Sequence, residues 1–536
     1  MIRVSNPLRS RWGLLQLALC SLLLAPPAMI ILVALTPSEP LFFHLVETVL
    51  GRYVGNTLLL MMGTGLIALL FGVSSAWVVS RYRFPGRKVL SWLLVLPAAM
   101  PAYLIAYAYT DFLEYAGPIQ TAIRSLFGFQ SARDYWFFEV RSLPVASVLM
   151  AAVLYPYIYI MARTAFHNTS RALFEAAMVS GRHLFWHVGL PLARPAIIAG
   201  LSLVLMEVVS DFGTVDYFAI ETLTLGIFNV WLGMNNMPAA AQLSLIALLV
   251  MMALLAAELF ARSRRSFQNI GNTARGVPAQ PIRGWHALGA IGVCVLPVMV
   301  GFVTPVLILL SHVMAGIGAE ARNAFWSLWL NTIEVSVIAV CAIITMAAII
   351  GLITTYKLGK PSRYISLAAA CGYAVPGTIL AIGVLGFLGL LNKAMLAFGG
   401  PLLTGGLFGL IIAYMVRFYA VGFGAVETGI GRIAPQIFEA SQTLGKSFSQ
   451  SLQRIIIPLI SSSVGAGALL VFVDIMKELP MTLLLRPFNF ETFATFTYQY
   501  AKDEMIAEAA LPALMIILAG LIPVILLNYS VTRRQN

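Results

Sequence analysis

The sequence predicts an all-α integral membrane protein of about twelve transmembrane helices, arranged as two parallel six-helix repeats. Three observations predict it. The 536 residues are 60% hydrophobic and only 10% charged, with a mean hydropathy of +0.88, whereas a soluble domain carries about 25% charged residues. Apolar runs near the roughly 20 residues that cross a bilayer recur along the chain. Paired motifs return at fixed offsets. Extended strand alternation is missing, and helices satisfy their own backbone in lipid.

The apolar runs lie at 14–35, 56–79, 89–110, 143–165, 196–212 and 241–261, then at 288–312, 332–355, 365–391, 401–422, 463–477 and 510–528. Arg3, Arg9 and Arg11 precede the first run, which is too long for the apolar region of a signal peptide and lacks a clear cleavage site; it reads as an uncleaved first span. Bases then set the orientation. Arg81, Arg83, Arg87 and Lys88, Arg262, Arg264 and Arg265, Lys357, Lys360 and Arg363, and the terminal Arg533 and Arg534 all fall on one side. The opposite loops are mixed or acidic, with Asp111, Glu114, Asp134 and Glu139, then Asp503, Glu504 and Glu508. The bias places both termini in the cytoplasm. It also explains the net charge of +12 without nucleic acid, since no contiguous basic patch with interleaved aromatics occurs.

The duplication is legible residue by residue. Asn56-Thr57 returns as Asn331-Thr332 and Pro101 as Pro376, both 275 positions on. Glu175 returns as Glu439 after 264, and Glu207 and Asp211 return as Asp474 and Glu478 after 267. The shifted offsets imply changes of loop length. Both halves keep one orientation, which makes a parallel repeat, expected to pair about an axis along the membrane normal. The polar, basic, Gly- and Pro-containing stretch 262–286 reads as a linker between them. The expected organisation is a first span and outer loop at 1–50, a first domain at 51–262, a linker at 263–286, a further span and loop at 287–326, a second domain at 327–529 and a tail at 530–536.

Several motifs bear on chemistry. Phe174-Glu175-Ala176-Ala177-Met178-Val179-Ser180-Gly181 returns as Phe438-Glu439-Ala440-Ser441-Gln442-Thr443-Leu444-Gly445, each followed by an aliphatic-proline pair, Leu190-Pro191 and Ile457-Pro458. A polar helix-forming cassette in a hydrophobic chain is either a docking element or a generic amphipathic loop. It should fold as a short helix, a turn at the glycine and a second short helix ending at proline. From Gly181 to Pro191 is ten positions, and from Gly445 to Pro458 thirteen, with Ile455 three before Pro458. The acids Glu207 and Asp211, and Asp474 and Glu478 beside Lys477, are spaced four apart on one helix face. They mark either a cation path or helix ends paired with Lys477 or Arg486.

Other features carry less. His183 and His187 stand four apart, but no Glu adjoins His183, so the zinc-protease pattern fails. Tyr103, Tyr107 and Tyr109, and Tyr155, Tyr157 and Tyr159, offer phenolates suited to ferric iron, though an interfacial aromatic belt explains such clusters more simply. Cys20, Cys294, Cys341 and Cys371 lie far apart in apolar runs and read as small buried residues, with no disulfide framework or zinc site. Gly351 to Lys357 lacks the glycine before lysine that a phosphate-binding loop needs, so no nucleotide site of this chain is indicated.

The cassettes resemble the "EAA" loop of ABC importer permeases, whose pattern is Glu-Ala-Ala, three residues, Gly, then a distal aliphatic-Pro. The second copy has the family spacing and the first is three residues short. Ser210-Asp211-Phe212-Gly213 with Thr214, and Lys477-Glu478-Leu479-Pro480 with Thr482 and Arg486-Pro487, are similar to segments of fused ferric-iron permeases. The resemblance spans essentially the whole chain and implies the type I importer fold. It implies two separate ATPase subunits docked on the cassettes and holding ATP and Mg, a periplasmic binding protein delivering ferric iron, and a bacterial inner-membrane location. It implies no catalysis and no cofactor on this chain. Glu175, Ala176, Ala177, Gly181, Pro191, Glu439, Ala440, Gly445, Ile455 and Pro458 would then couple the chain to its ATPases. Other readings keep the architecture but carry thiamine, a polyamine or a phosphonate. An ion-gradient secondary transporter would also have twelve spans and two repeats, but would not have two such cassettes.

Overall fold

The computed structural model describes residues 10–38, 40–263, 279–358, 360–400 and 402–533. Most of the 262–286 stretch, and the bases Arg3, Arg9, Arg264, Arg265 and Arg534, lie outside the described residues. Among the described residues eleven helices are long and apolar enough to cross a membrane, and a twelfth span forms if the bent pair Arg87–Ala99 and Ala102–Phe127 counts as one. In chain order the spans are Arg11–Ala34, Leu41–Arg81, the bent pair, Leu143–His167, Phe185–Ser210 and Met237–Leu254. They continue as Trp285–Ala315, Ala319–Leu358, Gly377–Ala397, Leu407–Ile430, Phe448–Met476 and Ile506–Ile525. Each predicted apolar run is mostly helical among the described residues, with breaks inside the third and ninth runs. The fifth and eleventh begin about ten or more residues earlier than hydropathy suggests, because they extend back into the cassettes. One short parallel pairing joins Tyr82–Arg83 to Gln280–Pro281.

The bend in the third span has a cause. Pro97 lies in a 3-10 turn at Leu96–Ala99, and Pro101 just beyond it is extended (ψ 141°) where the next helix starts. Proline cannot donate the helical hydrogen bond and disfavours helix before it, so the pair turns by 94°. The second repeat does the same with a 3-10 turn at Ala370–Ala374 and an extended Pro376 (ψ 143°). A side chain on Gly377, which follows, would press on the Arg417 guanidinium, the Glu478 carboxylate and Pro480.

Two compact packing units emerge, and they are not the two sequence halves. One comprises residues 1–39, 230–245 and 324–495; the other comprises 40–229, 246–323 and 496–536. The first span therefore packs with the second repeat, while the seventh and twelfth pack with the first. In the former unit Gln16 explains the choice. It is fully buried, and its amide nitrogen lies 3.0 Å from Thr354 Oγ1, 3.0 Å from the Ser362 carbonyl and 2.8 Å from Ser366 Oγ. The Ser362 hydroxyl donates back to Gln16 Oε1 at 2.6 Å. Close approach follows: a Cβ on Gly383 would sit 2.2 Å from the Pro26 carbonyl oxygen. In the latter unit a Cβ on Gly301 would sit 2.0 Å from the Ala152 carbonyl, and one on Gly520 2.6 Å from that of Ala99.

Two sequence expectations are corrected. Cys20 and Cys294 are buried, but Cys341 and Cys371 are exposed, because a membrane helix can present a small apolar residue outward. Arg81, counted among the loop bases, is 4% exposed at the end of the second span, with its guanidinium carbon 5.9 Å from the Phe174 ring.

Gln16→Ala should lower the thermal unfolding temperature of the detergent-solubilised protein, because leaving buried hydroxyls unpaired costs about 1–3 kcal/mol. An unchanged transition would show that this amide does not hold the first span.

Candidate functional site

The two cassettes share one local design. The first helix runs Arg171–Val179 and the second Pro435–Thr443. In each the leading phenylalanine is buried (Phe174, Phe438), as is the residue one turn on (Ala177, Ser441), while Glu175, Ala176, Glu439 and Ala440 are exposed. The i, i+3 spacing sets that stripe. Phe174 enters a socket on Trp77, whose ring lies 6.3 Å from Phe174, 5.3 Å from Phe166 and 5.1 Å from Phe185. Phe438 meets Tyr356 at 4.4 Å and Phe448 at 6.0 Å, and Phe448 in turn contacts Trp12 and the Lys357 ammonium.

Both helices end in the same glycine turn. Gly181 has φ +65° and Gly445 φ +78°, the left-handed region that glycine enters without penalty. The N–H of Arg182 bonds the Ala177 carbonyl and that of Gly181 the Met178 carbonyl, at 3.0 and 3.2 Å. Lys446 to Ser441 and Gly445 to Gln442 repeat the pair at 3.1 and 3.0 Å. These are Schellman caps, so the glycine is a helix terminator in each copy. Past it the chain re-enters helix, and here the structure departs from expectation. The second helix does not end at proline. It continues through a π turn, Phe185–Gly189 or Leu452–Ile456, directly into the fifth or eleventh span. Leu190 and Ile457 donate to carbonyls five residues back, and Pro191 and Pro458 follow at once. Proline lacks the N–H and crowds the carbonyl four back, which a wider turn relieves. Ile455 sits inside that π turn.

The three-residue difference can now be located. In the second copy a helical turn, Phe448–Ser451, precedes the π turn and is capped reciprocally by Ser447 and Gln450. In the first copy the π turn starts four residues after Gly181. Each cassette tip exposes large apolar side chains, with Val179 91% and Leu444 81% accessible.

The repeated acids cap helices. Asp211 Oδ1 accepts the Thr214 and Val215 N–H groups at 2.9 and 3.3 Å, and Oδ2 accepts the Thr214 hydroxyl at 3.1 Å. Glu478, 6% exposed, accepts the N–H groups of Met481 and Thr482 at 3.1 and 3.0 Å and the Thr482 hydroxyl at 2.8 Å. Each carboxylate starts a short helix, Gly213–Tyr217 or Pro480–Leu485. Asp474 pairs with Lys477 at 2.8 Å, and Arg486 pairs with Glu491. Glu207 lies one turn before Asp211 on the fifth span.

Sequence reading missed Arg417, in the middle of the apolar helix Leu407–Ile430. Its Nη1 is buried without a hydrogen-bond partner. A Cβ on Gly377 would lie 2.6 Å from that nitrogen and 3.0 Å from Glu478 Oε1. The signal was available, since an ionisable residue inside a span is rare and functional by default. The tyrosine belt expectation fails for Tyr103, Tyr107, Tyr155 and Tyr159, which are buried. His187 Nδ1 lies 3.2 Å from the His183 carbonyl, and among the described residues no three His, Cys, Asp or Glu side chains converge on a metal position.

Comparison with known proteins agrees with this geometry. Residues 68–266 match the family described as binding-protein-dependent transport system inner membrane component. The chain is 23% identical over 509 residues, 92% of each chain, to the Fe(3+)-transport system permease protein FbpB 2 of Haemophilus influenzae. It is 25% identical over 232 residues, 42% of this chain and 79% of the relative, to a putative 2-aminoethylphosphonate permease PhnU of Salmonella choleraesuis. The molybdenum permease ModB of Escherichia coli matches at 27% over 210 residues, 37% and 88% of the two chains. The match to FbpB 2 crosses both repeats, whereas the PhnU and ModB matches cover less than half of this chain. Residues 68–266 thus carry the inner-membrane component domain of binding-protein-dependent transport systems, within a multi-span helical chain similar along most of its length to a ferric permease.

Proposed function

We propose that this chain is the permease of a ferric-iron importer, with two ATPase subunits seated on its two cassettes and a periplasmic binding protein delivering the cargo. The observation that carries the reading is the similarity over 92% of both chains to a ferric permease, a match that runs through both repeats of this chain. The cassettes supply the coupling. Each presents its glutamate and an apolar tip outward, and each is built into the start of a span, so a push on the cassette reaches the span through continuous helix. ATP and Mg belong to the partner, and both termini lie in the cytoplasm with the cassettes. ATP-driven closure then turns the path from inward- to outward-facing.

The capping acids favour a structural role for Asp211 and Glu478, which spend their oxygens on backbone N–H groups. Glu207 and Asp474, one turn earlier, and Lys477 remain the groups we assign to the path. On this reading Asp211→Asn keeps most uptake, because asparagine also caps, whereas Asp211→Ala loses about 1 kcal/mol of stability. Abolished uptake in a well-folded Asp211→Asn protein would return the charge itself to the mechanism.

Among the described residues nothing beyond the adjacent chain lies within 4 Å of a Cβ placed on Gly181 or Gly445. Gly445→Asp therefore spares internal packing apart from about 1–2 kcal/mol of backbone strain, and it alters the partner surface. It should abolish co-purification of the ATPase or coupled uptake, with a smaller loss for Gly181→Asp. Normal ATPase-driven uptake by the Gly445 variant would refute docking there.

Deleting the gene should remove ATPase-dependent ferric uptake. Loss of thiamine, polyamine or phosphonate uptake with iron uptake intact would change the cargo, and uptake driven by a proton gradient alone would refute the class.

A further inference from the structure

A cluster of phenols around one carboxylate remains unused by this account. Asp216 lies in the short helix that Asp211 starts. Its Oδ2 accepts the Tyr498 hydroxyl at 2.5 Å and the Lys502 ammonium at 2.8 Å, and that ammonium is also 3.2 Å from Tyr498 Oη. The Asp216 side chain is 9% exposed and that of Lys502 49%. Behind this trio the Tyr217 ring lies 4.5 Å from Tyr107, which is 5.6 Å from Tyr103. Tyr107 is 2% exposed, and its hydroxyl has no hydrogen-bond partner.

The repeat shows that the fold does not demand this arrangement. Counting by the offset that relates Asp211 to Glu478, the second repeat has Leu483 where the first has Asp216. An orphaned buried hydroxyl is uncommon, and each one invites an explanation.

We propose that Asp216 and Tyr498, with Tyr107 behind them, form a transient site for a ferric ion on its way through the permease, and that Lys502 occupies the site when the ion is absent. The inference rests on the ferric reading given above. Carboxylate and phenolate are hard oxygen donors matched to a small trivalent cation. The ammonium already shows that the Asp216–Tyr498 pair binds positive charge. An arriving ferric ion carries three charges against one, so it displaces Lys502, whose half-exposed chain can swing to water. The phenol of Tyr498 loses its proton to water as its oxygen bonds the metal, and the Tyr107 hydroxyl lies in the shell of phenols behind it; no electron is transferred. Bound cations shift local proton equilibria in this direction. Lys502 closes the site again once the ion leaves, which makes binding reversible as transport requires.

The test titrates the permease, purified with its ATPases in detergent, with ferric nitrilotriacetate and reads the visible phenolate-to-iron charge-transfer absorption. Wild type should develop the band. Tyr498→Phe and Asp216→Asn should each weaken ferric affinity by about 10–100-fold, and Lys502→Ala should tighten it. Tyr364→Phe, at an exposed phenol far along the chain, should leave the band unchanged. Co-elution of each variant with its ATPases guards against misfolding. A band of equal affinity in Tyr498→Phe and Asp216→Asn would mean adventitious iron and overturn the site. No band in wild type, with cellular ferric uptake intact, would overturn the site and leave the ferric reading standing. Absent ferric uptake in cells would instead overturn that reading.

Discussion

Every structural decision in this chain follows from the need to satisfy backbone polar groups where no water is available. Unbroken helices do so by themselves. Breaks need help, and at four of them a polar side chain supplies it. Asn56 donates to the Glu221 carbonyl at 3.1 Å, and Thr57 accepts the Leu223 N–H at 3.0 Å while donating to Tyr53. Asn331 donates to Glu491 at 3.0 Å, and Thr332 accepts the Phe493 N–H at 3.0 Å while donating to Leu328. The same dipeptide does the same work in each repeat. Asp211 and Glu478 serve the neighbouring breaks. Residues first noticed as markers of duplication are the residues that make broken helices tolerable in a membrane.

The cassettes obey the same rule at a helix end. A helix leaves its last carbonyls without partners, and the glycine turn supplies them at Gly181 and Gly445. The following proline then forces a π turn, and the chain proceeds into a span without a joint. A surface element and a membrane helix become one lever. The two differ by the capped turn Phe448–Ser451, which leaves the π turn closer to the cassette glycine in the first copy than in the second. Phe174 and Phe438 hold both levers against the unit beneath them through aromatic contacts.

Much of this was legible because it is local. Span number, the paired motifs and the cassette turns depend on composition and on residues a few positions apart. What escaped was long-range. Tyr107 and Tyr155 look like belt residues until neighbouring helices cover them. Arg81 looks like a loop base until Phe174 closes over it. Arg417 was overlooked because one charge barely alters the hydropathy of its run. The three-residue shortening was visible as a count, but whether it removed loop or helix depended on where the π turn formed.

The sequence by itself determined the class of protein, its repeat and the positions of its breaks, because hydropathy, helix period and proline chemistry act within a turn or two. Tertiary structure alone decided which span packs with which repeat, since Gln16 finds Thr354, Ser362 and Ser366 more than 300 residues away. It alone decided that the repeated acids point at backbone N–H groups, and that Asp216, Tyr498 and Lys502 meet. Such contacts are fixed by burial and by the search of polar groups for partners, and sequence distance carries no information about either.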